Sequence, residues 1–233
     1  MGGILKSTWE MLHDGRFLKK ALMIACPVAL QGMLNTIVNM VDTLMIGGLG
    51  STAIAAVGLA NKVFFVFSLL VFGIVSGGGI LAAQFWGSGD VKNIRKVLGL
   101  CVMLAMVGAM FFVVPALTAP RMVMRIFTTS EGSIELGAKY LRIAALSYPF
   151  IALTNVYVAM LRATNKVVFP VICSCIAIVV NICLNYVLIF GKFGAPTMGV
   201  AGAACATLTA RCIEVTLVLF YVYGKKLPLA CGP

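Results

Sequence analysis

Apolar positions run almost unbroken along this chain in six long stretches, at residues 21–46, 53–85, 97–117, 136–161, 168–190 and 200–223. A bilayer core of roughly 30 Å takes about 20 residues of helix, so each stretch is long enough to cross one. Hydrocarbon offers backbone N–H and C=O groups no partner but each other, which selects helix over an open strand. The pattern predicts an all-α membrane protein with six transmembrane helices. The second stretch is longer than a span requires and must tilt or project beyond the bilayer. Residues 1–20 mix Ile4, Leu5, Trp9, Leu12 and Phe17 with charged positions and read as a cytoplasmic amphipathic segment on the membrane surface. Residues 21–224 then form one six-helix unit, and residues 225–233 a cytoplasmic tail.

The few polar residues inside these stretches fall at matching depths. Asp42 lies roughly 8–12 Å below the outer end of the first helix near Gly47, at a rise of about 1.5 Å per residue. Asn185 and Asn181 lie about 9 and 15 Å below the outer end of the fifth, near Gly191, one turn apart on a shared face. Thr207 lies about 12 Å into the sixth. A carboxylate in hydrocarbon is costly, so an intramembrane Asp marks a functional site. One carboxylate, two amide oxygens and a hydroxyl make a hard-oxygen set suited to a proton or a small cation such as Na⁺. The alternative role for Asn181, Asn185 and Thr207 is hydrogen bonding between helices. Gln31, Asn35 and Asn39 of the first helix are candidates for lining a substrate cleft.

Other positions carry structural expectations. Arg211 and Glu214, three apart on the sixth helix, should pair within it. Lys62 should snorkel from the overlong second helix. Gly77, Gly78 and Gly79 in succession should weaken and interrupt that helix, and Pro27, Pro115 and Pro149 should bend theirs.

Composition removes the soluble alternatives. Hydrophobic residues make up 61% of the chain and charged residues 11%, with a mean hydropathy of +1.06, where a soluble domain has about a quarter charged. The net charge of +11 would in a soluble protein point to nucleic acid, but here the basic residues cluster between apolar stretches, where they set orientation. Lys6, Arg16, Lys19, Lys20, Lys92, Arg95, Lys96, Arg162, Lys166, Lys225 and Lys226 fall on one side, eleven against five on the other: Arg121, Arg125, Lys139, Arg142 and Lys192. Both termini are thereby expected in the cytoplasm, in a multi-pass protein of the cell membrane. The apolar run after Lys20 is about twice the length of a signal-peptide core and reads as the first membrane helix. The eight cysteines lie almost entirely in apolar stretches, without CxxC spacing, and the single histidine, His13, stands outside them. No cofactor or metal site beyond a coupling Na⁺ is expected. No HExxH or GxSxG pattern points to an enzyme.

Pro27 through Gln31, the Asn39–Asp42–Thr43 region and the run from Ile46 to Gly50 together resemble the first helix of the multidrug and toxic compound extrusion (MATE) family. Ala55 to Asn61, the glycine triplet at 77–79 with Ala83 to Asp90, Asn181 with Asn185 before Phe190 and Gly191, and Gly199 to Thr207 with Arg211 extend the resemblance over nearly the whole chain. It implies one lobe of a twelve-helix antiporter of the wider MOP superfamily, exporting organic cations or other amphipathic compounds in exchange for H⁺ or Na⁺. By similarity, Asp42, Asn181, Asn185 and Thr207 occupy the cation-site positions of the amino-terminal lobe. Many relatives carry Asp where this chain has Asn185, which leaves Asp42 the one acid of the layer and the choice between H⁺ and Na⁺ open. The tail stands where the family's inter-lobe linker begins. The missing partner is then either a second six-helix lobe or a second copy of this chain, and a monomer alone is expected to transport nothing. Two other readings are a lipid-linked saccharide flippase or polysaccharide exporter of the same superfamily, which should show more basic residues in its cleft, and a transport-inactive membrane assembly partner.

Overall fold

The computed structural model describes residues 15–194, 196–225, 227 and 229, so the predicted amphipathic segment up to residue 14 and most of the tail lie outside the described residues. The helices are α1 (Gly15–Gly47), α2 (Ser51–Gly87), α3 (Val91–Thr118), α4 (Pro120–Arg125), α5 (Glu131–Ala144), α6 (Tyr148–Ala163), α7 (Val168–Phe190) and α8 (Val200–Gly224). No strand occurs among the described residues. Among the described residues, five segments are long and apolar enough to cross a membrane: α2, α3, the α5–α6 pair as one unit Glu131–Ala163, α7 and α8. The first predicted stretch lies in α1, a helix of 33 residues. The chain is a multi-pass membrane protein.

Local chemistry explains the boundaries. The Asn93 backbone N–H donates to Asp90 Oδ1 at 3.1 Å, and its side-chain Nδ2 donates to Oδ2 at 2.6 Å, so α3 starts six residues before its apolar stretch. Gly191 closes α7 in the left-handed conformation at φ 64°, where a side chain would be strained. The fourth predicted stretch lies within one span, Glu131–Ala163, whose helix tightens midway, between α5 and α6. Pro149 lacks the N–H that would bond back to Ala145, and its ring crowds that carbonyl. The backbone tightens into a 3₁₀ turn at Ala145–Ser147, where Ser147 Oγ donates to Ala144 O at 2.6 Å.

The glycine triplet corrects the sequence expectation, because α2 runs through it without a break. Gly78 is buried, and a Cβ there would collide with Cys101 Sγ of α3 and stand 3.2 Å from Met160 of α6. Close approach of three helices, rather than a hinge, accounts for that glycine.

α2, α3, α5 and α6 pack around one core, in which Phe67 stacks on Tyr148 at 4.6 Å and meets Phe112 edge-on at 5.8 Å. α7 and α8 make the most extensive helix pair. Gly202 permits it, since a Cβ there would stand 2.7 Å from the Leu188 carbonyl oxygen. α1 lies at the periphery and packs chiefly on α7. A second, smaller core of Ile46, Ala53, Val57, Ile189, Val200 and Ala203 clamps together the ends of α1, α2, α7 and α8 that the charge pattern predicts to be the outer ones.

Candidate functional site

The outer polar layer sits just below that clamp. α7 presents Asn181 and Asn185 on one face, both buried, and α1 brings Asp42 opposite them, half-buried. Asn185 Nδ2 donates to Asp42 Oδ1 at 2.6 Å and to Asn181 Oδ1 at 3.2 Å. Asn181 Nδ2 reaches Thr207 Oγ1 of α8 at 3.5 Å, a long contact, while Thr207 donates its own proton to the Ala203 carbonyl at 3.0 Å. The structure thus brings Asp42, Asn181, Asn185 and Thr207 into one hydrogen-bonded cluster spanning three helices. Asn185 Oδ1 is fully buried and has no hydrogen-bond partner among the described residues. A buried amide oxygen without a donor is destabilising by about 1–3 kcal/mol, so its orientation calls for a reason.

The inner layer was not anticipated as a unit. Gln31 lies eleven residues before Asp42 on α1, about 16 Å nearer the other membrane face. Its Oε1 accepts from Arg162 Nη2 of α6 at 2.6 Å, and its Nε2 donates to Ser174 Oγ of α7 at 2.6 Å. Ser174 Oγ donates a hydrogen bond to Glu214 Oε1 of α8 at 2.7 Å, and Arg211 Nη1 closes the line by donating to Glu214 Oε2 at 2.7 Å. The expected Arg211–Glu214 pair is present, with Glu214 buried and the Arg211 side chain 36% exposed. Five side chains from four helices therefore form a continuous chain of bonds.

A cavity of about 260 Å³ opens beside this chain. Asn35 and Gln31 both line it, so two of the three cleft candidates share a wall; Asn39 is exposed on α1 and does not. Thr154 and Asn155 of α6 complete the polar part, and Ile151 and Val158 supply apolar surface. Lys62 lines neither this cavity nor the larger one at the far ends of α3 and α5, and its side chain is exposed.

Arg162 escaped the sequence reading because the fourth stretch was ended at residue 161, which put it in a loop; α6 continues to Ala163. Ser174 carries no charge and gave no signal alone, and Gln31 stood out only as a cleft candidate, not as a partner of Arg162 and Ser174. Depth-matching from the inner ends, as was done from the outer ends, would have grouped Gln31, Ser174 and Glu214.

Comparison with known proteins matches residues 27–187 to the family model described as MatE. The chain is 31% identical over 210 residues to the probable multidrug resistance protein NorM of Thermotoga maritima, covering 89% of this chain and 45% of that protein. It is likewise 31% identical over 212 residues to the probable multidrug resistance protein YoeA of Bacillus subtilis, covering 87% of this chain and 44% of the relative. Among solved structures, it superposes on an outward-facing MATE family transporter of the MOP superfamily with a TM-score of 0.81 at 23% identity, covering 90% of this chain and 46% of that one. An inward-facing MATE structure gives a TM-score of 0.74, also at 23% identity, covering 87% and 45%. The chain spans about half the length of the relatives it matches.

Proposed function

The chain belongs to the MATE (MatE) family, and from that premise we propose that it forms the ion-coupled amino-terminal lobe of a secondary antiporter. Its cargo is a small organic cation or amphipathic compound, exported in exchange for H⁺ or Na⁺. The observation that carries this reading is the 2.6 Å bond from Asn185 Nδ2 to Asp42 Oδ1, made while the Asn185 oxygen stays buried and unpartnered among the described residues.

An amide turns its NH₂ toward a carboxylate when nothing else neutralises the acid. A proton on Asp42, or a Na⁺ beside it, reverses that preference. The amide then gains by turning over and presenting Oδ1, either to accept the carboxyl proton or to ligate the cation. Asn181 Oδ1 and Thr207 Oγ1 stand within the same cluster to complete an oxygen shell. Proton and Na⁺ compete for one carboxylate, so the site senses either gradient. Asp42 lies on α1, which packs chiefly on α7, so a change of partner at Asp42 acts directly on that packing.

Alternating access needs an opposing body, and one six-helix lobe supplies one wall. The partner is a second lobe of the same kind or a second copy of this chain, placed around an axis normal to the membrane. The excess of Lys and Arg sets both termini on the cytoplasmic side of the cell membrane. A cysteine placed at Ser130, in a background without native cysteines, should then react with an impermeant reagent from outside, and one at Asn93 should not. Coupled efflux is tested by Asp42→Asn in the assembled transporter: gradient-driven ethidium export should vanish with membrane insertion unchanged. Normal export by that variant would reduce Asp42 to a packing residue.

A further inference from the structure

The inner cavity has a charge that the outer layer lacks. Two guanidinium groups, Arg162 and Arg211, and one carboxylate, Glu214, line it, for a net charge of +1. Glu214 is fully engaged, Oε1 by Ser174 and Oε2 by Arg211. Gln31 is oriented by the same chain of bonds. Its Nε2 faces Ser174, so its oxygen must face Arg162. Arg162 is therefore held by a neutral oxygen and forms no ion pair among the described residues. A guanidinium carries five N–H donors, and its link to Gln31 uses one.

A second observation points the same way. Thr154 Oγ1 is buried without a hydrogen-bond partner among the described residues, and Thr154 lines the cavity. Thr154, Val158 and Arg162 recur at four-residue spacing on α6, so they form one stripe down the cavity wall. An oriented, uncompensated guanidinium at one end of the stripe and an unsatisfied hydroxyl at the other are both groups that await an acceptor. Ile151 and Val158 beside them suit a hydrocarbon or ring face.

We propose that this cavity binds an amphipathic small molecule through its carboxylate, with Arg162 as the counter-ion and Thr154 and Asn155, about two turns away on α6, as polar contacts to the part of the molecule beyond the carboxylate. This inference rests on reading the chain as a transport lobe and adds to its cargo a class of compounds that bear a carboxylate, zwitterions included. A planar fork of donors matches a carboxylate in bidentate fashion, and one uncompensated positive charge balances one negative charge. A pyrophosphate would bring more charge than the cavity can neutralise. At about 260 Å³, just below the roughly 300–1,000 Å³ of drug-sized sites, the cavity takes the acidic end of the molecule and leaves the remainder in its open mouth.

The test uses the full chain in lipid nanodiscs, with benzoate, benzamide and benzylamine as probes of one shape and three charges, and empty nanodiscs subtracted. No gradient is imposed, so the result is separate from any failure of coupled efflux at Asp42. Benzoate should bind about tenfold more tightly than either of the others, a difference of ~1.4 kcal/mol. Arg162→Gln should erase that preference, and Arg162→Lys should restore part of it. Gly32 lines the same cavity, and a Cβ built there meets nothing within 4 Å. Gly32→Leu should therefore fill the space without disturbing the fold and block benzoate. Equal binding of the three probes overturns the proposal, as does benzoate binding that survives both Arg162→Gln and Gly32→Leu.

Discussion

The outer and inner polar layers are built from the same three helices, α1, α7 and α8, yet each accommodates its carboxylate in a different way. Glu214 is buried with both oxygens bonded, one to a hydroxyl and one to a guanidinium. Asp42 is half-buried and receives one hydrogen bond among the described residues, from a neutral amide whose own oxygen has no partner. A compensated carboxylate has little to gain from a proton or a cation. An uncompensated one in a low-dielectric layer has a great deal to gain. The difference separates a structural acid from one available for exchange.

Exchanging the two acids should break the comparison most visibly. Asp42→Asn should lower gradient-driven efflux by about tenfold or more, a decade being ~1.4 kcal/mol, with thermal stability little changed. Glu214→Leu should do the reverse to the fold, lowering the melting temperature of the extracted chain. The loss should be roughly 1–3 kcal/mol, below that of a fully buried pair because the Arg211 side chain is 36% exposed. Parallel effects in the two variants would erase the distinction.

Gly202 links packing to the outer layer. A methyl group there meets the Leu188 backbone carbonyl at 2.7 Å, which no rotamer can relieve. Gly202→Ala should separate α7 from α8 at a loss of roughly 1–3 kcal/mol. Because Asn181 and Thr207 face each other across that seam, ion-coupled transport should weaken with it. Wild-type melting of this variant would show that the two helices are not tightly seated.

Smaller changes sharpen the reading of the outer layer. Asn185→Asp places a second carboxylate beside the first and should strengthen dependence on Na⁺, read as the Na⁺ concentration for half-maximal efflux. Thr207→Ala removes a ligand whose contact with Asn181 is already 3.5 Å long. It should change coupled efflux by no more than about twofold to threefold, the scale of a weak neutral hydrogen bond.

Much of this was legible in the residues. Hydrophobic length located the helices because hydrocarbon leaves the backbone no alternative. Rise per residue then aligned Asp42, Asn181, Asn185 and Thr207, because a regular helix converts sequence position into depth. What stayed hidden depended on contacts between helices. The triplet at Gly77–79 read as a break, since propensity counts residues and not neighbours, whereas Cys101 and Met160 need the space that Gly78 leaves open. The tightening before Pro149 required knowing that the chain would resolve the proline with a 3₁₀ turn rather than a bend. Arg162 was missed by a boundary error of two residues, and with it the positive charge of the inner cavity.

The central claim is that Asp42, and not Glu214, exchanges its proton or cation. Infrared difference spectroscopy of the purified chain, stepping pH or Na⁺ concentration, reads carboxyl and carboxylate bands directly. A carboxyl signal should appear that is lost in Asp42→Asn and persists in Glu214→Gln. A signal that survives Asp42→Asn and is lost in Glu214→Gln would contradict it.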